Sequence, residues 1–177
     1  GPFHSQSNEA WFTHTPGLKV IYPSSPAEAK GLLCAAFEDP NPIIFFEHKA
    51  LYRAISEEVP NDYYTLPIGQ ARLVEEGADV SIITYGMGVH WAYNASGELD
   101  MRDQIEIIDL RTLYPLDEDT IMKSIKKTGK CLVVTEEPSN NSFARALAGK
   151  IQEECFKYLD APVMTIGSEN MPAIPLN

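Results

Sequence analysis

IEIIDLRTLYPLDEDTIMKSIKKTG, residues 105–129, places a strand and a helix in immediate succession. The first six residues are mostly aliphatic and β-branched, as a strand covered on both faces requires. Asp117, Glu118 and Asp119 then open a helix, Lys123, Lys126 and Lys127 gather toward its end, and Gly129 follows. Each set of charges sits at the end of the helix dipole that it stabilises, and glycine is a common stop. Strand followed at once by helix is the repeating unit of an α/β domain, and the same alternation extends to both sides of this stretch.

Downstream, KCLVVTEE (130–137) and VMTIG (163–167) read as doubly buried strands. Between them Ser142 to Leu159 is predicted as a helix, with Phe143, Ala146, Leu147, Ile151, Cys155 and Tyr158 as its apolar stripe. Upstream, VSIITYG (80–86) is another strand, and Met87 to Asp103 a weaker helix diluted by Asn94, Ser96 and Gly97. Nearer the start, LKVIYP is a strand stopped by Pro23. Ser25 as N-cap, Pro26 at the first helical position and Glu28 as the far half of a capping box open a helix, whose inward face is predicted as Ala29, Leu33, Ala36 and Phe37. PIIFFEHK (42–49) reads as a short buried strand. EEVPNDYYTLP, Glu57 to Pro67, has neither periodicity and carries two prolines, so it reads as an extended linker. The expected organisation is a partial α/β unit over 1–56, a linker over 57–67 and a complete α/β domain with a mostly parallel sheet over 68–177.

A chain of 177 residues, 44% hydrophobic, suffices for a real core. No apolar run approaches the roughly 20 residues of a membrane helix, and no signal peptide is visible. With 14 Lys+Arg against 25 Asp+Glu, the net charge of −11 argues against nucleic acid as a partner. Three scattered cysteines, Cys34, Cys131 and Cys155, fit neither a disulfide framework nor a metal knuckle, and read as reduced thiols of a cytosolic-type compartment.

Chemistry-bearing candidates are few. HSQS, beginning at His4, puts a histidine, two hydroxyls and an amide ahead of Trp11 and Phe12, which suggest a core close to the start of the chain. Histidine is the side chain best suited to exchange protons near neutrality. With no visible partner, an ordinary surface or core histidine is the default reading of His4, as of His14, His48 and His90. YGMG (85–88) lacks the third glycine and the lysine of a phosphate loop, so a tight strand-to-helix turn is preferred. Glu136 and Glu137 end a strand where α/β ligands usually bind, although solvated carboxylates are commoner there. The residues alone lead to an α/β domain with a histidine site as one option.

HSQSNEAWFTHTPGLKVIYPSSPAEAKGLLCAAFEDPNPIIFFEHKALYR and IEIIDLRTLYPLDEDTI, in this order and spacing, resemble the β subunit of the thiamine-diphosphate-dependent 2-oxoacid dehydrogenases, the branched-chain type more than the pyruvate type. The resemblance runs from His4 to the closing GSENMPAIPLN. It implies the latter part of a transketolase-type pyrimidine-binding domain followed by a transketolase-type C-terminal domain. The implied reaction is oxidative decarboxylation of a 2-oxoacid with acyl transfer to a lipoyl group. His4 matches the family's active-site histidine, implying proton transfer or positioning during that transfer, with Ser5, Gln6 and Ser7 as support.

AFEDPN matches a monovalent-cation site formed by main-chain carbonyls at Ala36, Asp39 and Asn41, with potassium as the implied ion; a plain helix-to-strand turn explains the same residues equally well. Arg111 is expected to organise its loop by pairing with a carboxylate or carbonyls. The glutamate that activates the cofactor has no counterpart here, and the thiamine diphosphate and magnesium motif belongs to the α partner, so the chain is expected to be incomplete at both ends and inactive alone. Implied partners are the α subunit or α half, a second β copy and the lipoyl acyltransferase. The implied compartment is the cytoplasm, or the mitochondrial matrix in a eukaryote. The alternative is a non-catalytic transketolase C-terminal-like module for dimerisation and acyltransferase docking.

Overall fold

The structure, a computed structural model, describes residues 6–172. Along the chain run α1 (Glu9–Thr13), β1 (Lys19–Ile21), α2 (Pro26–Glu38), β2 (Ile43–Phe45), α3 (Leu51–Ala54), β3 (Arg72–Glu75), β4 (Val80–Thr84), α4 (Met87–Glu98), β5 (Ile105–Asp109), β6 (Thr112–Tyr114), α5 (Glu118–Thr128), β7 (Cys131–Pro138), α6 (Phe143–Cys155) and β8 (Met164–Ser168), with a 3₁₀ turn at Phe156–Tyr158. Five strands form one sheet in the order β3-β5-β4-β7-β8, parallel except for β3, which runs antiparallel along β5. The mostly parallel α/β sheet expected from the alternation is present.

β1, β2 and β6 form a second sheet in the order β2-β1-β6. β1 runs parallel to β2 and antiparallel to β6. β6 comes from the C-terminal stretch, so backbone bonds join the early residues to the late ones. The core crosses the same seam: Val20 and Tyr22 pack in one cluster with Ile83, Ile108, Leu113, Ile125, Val133 and Ile151.

The helix signals hold where charge and caps agree. Asp117 Oδ1 accepts the Thr120 N–H at 3.1 Å, and Gly129 ends α5 at φ 68°. Ser142 accepts the Arg145 N–H at 3.0 Å to open α6, and Ser25 accepts that of Glu28 to open α2. The weakly marked segment after YGMG is a regular helix, α4.

Several expectations need correction. α2 turns Glu28, Gly31 and Leu32 inward, while Leu33 is exposed and Phe37 is 85% exposed. PAEAKGLLCAAFE is apolar around most of its circumference, so periodicity could not choose a face, and the ion pairs of Glu28 did. Glu28 also completes no box with Ser25: its Oε2 takes the Ser24 N–H at 3.4 Å and the Ser24 hydroxyl at 2.9 Å. β2 is a half-buried edge strand, and β8 is an edge whose Met164 and Ile166 are exposed, so neither is covered on both faces. On α6, Ala144 and Ala148 are buried where Ala146 and Tyr158 were expected. Trp11 is 71% exposed, leaving Phe12 to pack inward. β3, β6, α1 and α3 were not foreseen, being only three to five residues long.

The segment between α3 and β3 has no helix or strand and runs along α2. The Tyr64 hydroxyl donates to the Ala27 carbonyl at 2.7 Å, the Leu66 N–H to that of Gly31 at 3.0 Å, and the Lys30 ammonium to the carbonyls of Pro60, Asn61 and Asp62.

Candidate functional site

β1, β2, β4 and β7 all deliver their carboxyl ends to one side of the molecule, the place where α/β sheets usually bind ligands. A groove of about 2270 Å³ opens there, lined among others by Glu9 and Trp11 of α1, Tyr22 after β1, Phe46 and His48 after β2, Glu136 and Glu137 on β7, and Phe143 of α6. A line of aromatic rings underlies its floor, Phe46, Tyr22 and Phe143 lining the groove and Phe12 and Tyr85 packed into the core with them: in the order Phe12, Phe46, Tyr22, Tyr85, Phe143 the successive centroids are 5.7, 5.4, 5.4 and 5.8 Å apart. The five rings come from five separate segments, so the floor exists only when both sheets are assembled. Aromatic contacts of this kind add stability beyond burial.

On that floor stand ionisable groups. Glu137 is 2% exposed and accepts three hydrogen bonds: the Ala10 and Phe143 N–H groups, each at 2.9 Å, and the Tyr85 hydroxyl at 3.4 Å. Glu9 is 1% exposed, and its Oε2 has no hydrogen-bond donor. Burial, reinforced by the charges of Glu137 and Glu136, pushes its carboxyl up to about 8. Burial and the same carboxylates push the Tyr22 and Tyr85 phenols well above their ordinary range, so both remain protonated donors. Beside them the His48 Nε2 lies 2.7 Å from Glu136 Oε2, while His48 Nδ1 is buried without a partner.

Behind the groove a second buried cluster ties the sheets together. Arg111, at φ 55°, brings its Nε to 2.7 Å from Glu28 Oε1, and Arg72 approaches the same oxygen at 3.0 Å. The Arg111 loop is thus organised by a carboxylate, as expected. Burial works against the Glu28 charge, but the two guanidinium groups outweigh it and keep the carboxyl below its ordinary value.

His4 and Ser5 lie outside the described residues. Gln6 and Ser7, the described half of HSQS, line the groove. Of the other histidines, only His48 contacts a carboxylate at the groove; His90 Nε2 is 2.7 Å from the Ser24 carbonyl oxygen, and His14 is an exposed residue at the end of α1. Glu136 and Glu137, which read as ordinary solvated carboxylates, divide: one is paired, the other buried. Glu9 stands in no motif of the sequence, and α1, at five residues too short to be predicted, gives it no setting there. YGMG is a strand-to-helix turn: Gly86 has φ 53°, and a side chain on Gly88 would lie 2.1 Å from Thr84 Oγ1.

Ala36 sits in the last turn of α2, with Asp39 as its C-cap and Asn41 two residues on. The Asp39 carboxylate is taken by Lys19 and by both the backbone and side-chain N–H groups of Asn41. With the Asp39 carboxylate taken, main-chain carbonyls and the Asn41 side-chain oxygen are left there as oxygen donors for a cation. Among the described residues no cluster of His, Cys, Asp and Glu side chains could hold a metal ion, and no helix is long and apolar enough to cross a membrane.

Comparison with known proteins gives these features a context. Residues 69–177 match the family model of the transketolase C-terminal domain, and residues 1–55 that of the transketolase pyrimidine-binding domain. The chain is 48% identical over 175 residues to the 2-oxoisovalerate dehydrogenase subunit beta of Bacillus subtilis, covering 98% of this chain and 53% of that one. It is 44% identical to the mitochondrial 2-oxoisovalerate dehydrogenase subunit beta of Dictyostelium discoideum and 44% identical to the pyruvate dehydrogenase E1 component subunit beta of Rhizobium meliloti, covering 47% and 37% of them. It therefore spans about half or less of these relatives. A split-gene transketolase, solved as an inactive beta4 tetramer, superposes over 92% of this chain with a TM-score of 0.76 at 22% identity, which supports the fold.

Proposed function

The chain belongs to the transketolase C-terminal domain family, and from that membership we propose that it is part of the β subunit of a thiamine-diphosphate-dependent 2-oxoacid dehydrogenase, with a branched-chain 2-oxoacid as substrate. The observation that carries this reading is the 48% identity to a 2-oxoisovalerate dehydrogenase subunit beta across 98% of the chain, which includes the HSQS and DLRTLYPLD strings. We divide the chain at 57–67, with the latter part of the pyrimidine-binding domain before it and the C-terminal domain after it. The working protein pairs this chain with an α subunit or α half, a second β copy and a lipoyl acyltransferase, in the cytoplasm or the mitochondrial matrix.

The described residues do not fit the cofactor's diphosphate. The inner wall of the groove is acidic, with Glu9, Glu136 and Glu137 together, and no metal-holding cluster accompanies it. Diphosphate and magnesium are therefore assigned to parts of the assembly beyond this chain. Thiamine diphosphate supplies the carbanion chemistry of decarboxylation. This chain supplies one wall and, at His4, a group that holds or moves a proton during acyl transfer to the lipoyl group. The Ala36, Asp39 and Asn41 carbonyls are proposed to bind potassium, since a hard cation seeks oxygens and the side chain of Asp39 is already engaged.

The test is 2-oxoacid-dependent reduction of an artificial acceptor by the full-length protein with its α partner, thiamine diphosphate and magnesium. Branched-chain oxoacids are expected to outpace pyruvate. His4→Ala is expected to slow lipoyl acylation on the order of 10²–10⁴-fold, the usual worth of a positioned acid or base. Unchanged turnover in that variant would remove His4 from the chemistry. No turnover from a folded, cofactor-saturated assembly would favour the assembly-module reading, with which the acidic wall is also compatible.

A further inference from the structure

The groove that rejects a diphosphate has the chemistry to take a cation. Six glutamates and two lysines line it, without an arginine or an aspartate among the described residues. Lys150 is engaged by Glu118 at 2.6 Å and by Glu154 at 3.6 Å, and Lys49 is exposed. On the inner wall Glu136 meets His48, and no ion pair among the described residues reaches Glu9 or Glu137.

Excess negative charge alone specifies no ligand. Glu9 supplies an independent sign: it is 1% exposed, and its Oε2 has no hydrogen-bond partner. A buried oxygen left bare is costly. Glu9 belongs to the wall of the groove, and its side chain turns about three bonds, so a donor arriving through the groove can meet that oxygen. Without such a donor, burial and the charges of Glu137 and Glu136 make Glu9 hold a proton, its carboxyl being pushed up to about 8; a cation takes that proton's place.

The rest of the lining narrows the choice of cation. Trp11 is 71% exposed and Tyr114 50% exposed, and Phe46 and Phe143 line the same groove. A guanidinium pairs with carboxylates through a rigid fork of donors, stacks on aromatic faces and is more weakly hydrated than an ammonium. Size narrows the carrier. The groove, at about 2270 Å³, exceeds the roughly 300–1,000 Å³ of small-molecule sites, and its volume suits a length of polypeptide.

We propose that the groove binds an arginine side chain carried on a segment of another polypeptide chain, the guanidinium being taken by Glu9 and Glu136 and packed against the aromatic lining. This site does not depend on the 2-oxoacid reading.

The experiment is calorimetric titration of the full-length protein, alone and with its α partner, with a blocked peptide of three Gly-Arg repeats. Counterparts carry lysine, or citrulline, which keeps the shape of arginine without its charge. The arginine peptide is expected to bind one-to-one, the lysine peptide more weakly and the citrulline peptide not at all. Glu9→Gln and Glu136→Gln are each expected to weaken the arginine peptide on the order of tenfold, as the loss of a charged hydrogen bond does. Binding to the full-length chain that disappears when the α partner is added would support the site and identify that partner as the carrier. No binding to the full-length chain, equal binding of the citrulline peptide, or unchanged affinity in both variants would overturn it, and free arginine amide binding as tightly as the peptide would overturn the polypeptide carrier. The citrulline comparison decides the matter even if a variant fails to fold. Arginine binding without 2-oxoacid turnover would count against the functional reading alone, and turnover without arginine binding against this site alone.

Discussion

Ser24 has one hydroxyl proton and two carboxyl groups within reach, Glu28 Oε2 at 2.9 Å and Asp109 Oδ2 at 2.5 Å. One of them must bring its own proton. Glu28 is held ionised by Arg72 and Arg111, so the donor is Asp109, which burial and the neighbouring Glu28 charge push up to about 7. The proton chain runs from Asp109 to Ser24 and from Ser24 to Glu28. A carboxyl raised in the fold contributes stability that is complete below its ordinary 3.8 and lost as pH rises through about 7. Asp109→Asn, which keeps a donor for Ser24, is therefore expected to flatten the decline of the urea midpoint across that window. Arg111→Ala is expected to lower stability by about 2–3 kcal/mol in the same assay. That is less than the roughly 3–5 kcal/mol of a buried ion stripped of its only partner, because Arg72 remains 3.0 Å from Glu28.

Among the elements, α5 was readable to its last residue, because its signals are local: an N-cap, charges along the dipole and a glycine stop. Asp117 does more than cap, since its Oδ2 also accepts the Ala71 N–H at 2.9 Å and the Thr120 hydroxyl at 2.8 Å. Asp117→Ala is accordingly expected to cost more than the usual ~1 kcal/mol of a lost cap, measured beside Ser142→Ala, which should show about that value. α2 could not be oriented in advance, because the partners of Glu28 lie on β3 and in the β5–β6 turn, far along the chain. The short strands escaped for a similar reason: three or four residues carry too little pattern, and pairing with a distant strand is what makes them strands. Between β3 and β4, Gly77 lies so close to β5 that a side chain would meet the Ile105 backbone at 2.2 Å. Gly77→Ala is expected to destabilise by more than the roughly 1–3 kcal/mol of ordinary overpacking, since backbone cannot rotate aside.

At the scale of the molecule, the β1–β6 ladder, the shared core and the aromatic floor all cross the proposed domain boundary. Trp11 lies on one side of it and Trp91 on the other, and their fluorescence is expected to report coincident unfolding transitions in denaturant when each is observed in the absence of the other. Two separated midpoints would mean that the seam is weaker than its contacts imply. The seam also explains how much of the site could be read beforehand. HSQS and Arg111 stand in contiguous strings, whereas the bond from the Ala10 N–H to Glu137 joins residues 127 apart, and no local pattern marks such a contact. The same ladder bears on how the polypeptide could be made. Residues 56–58 and 60–63 are exposed and contain no helix or strand, so a protease should nick the chain there. The two pieces would still share a sheet and a floor of rings, and are expected to elute together in gel filtration. Covalent continuity would then be dispensable once folding is complete, and the protein could be supplied as two separately encoded peptides that find each other through strand pairing.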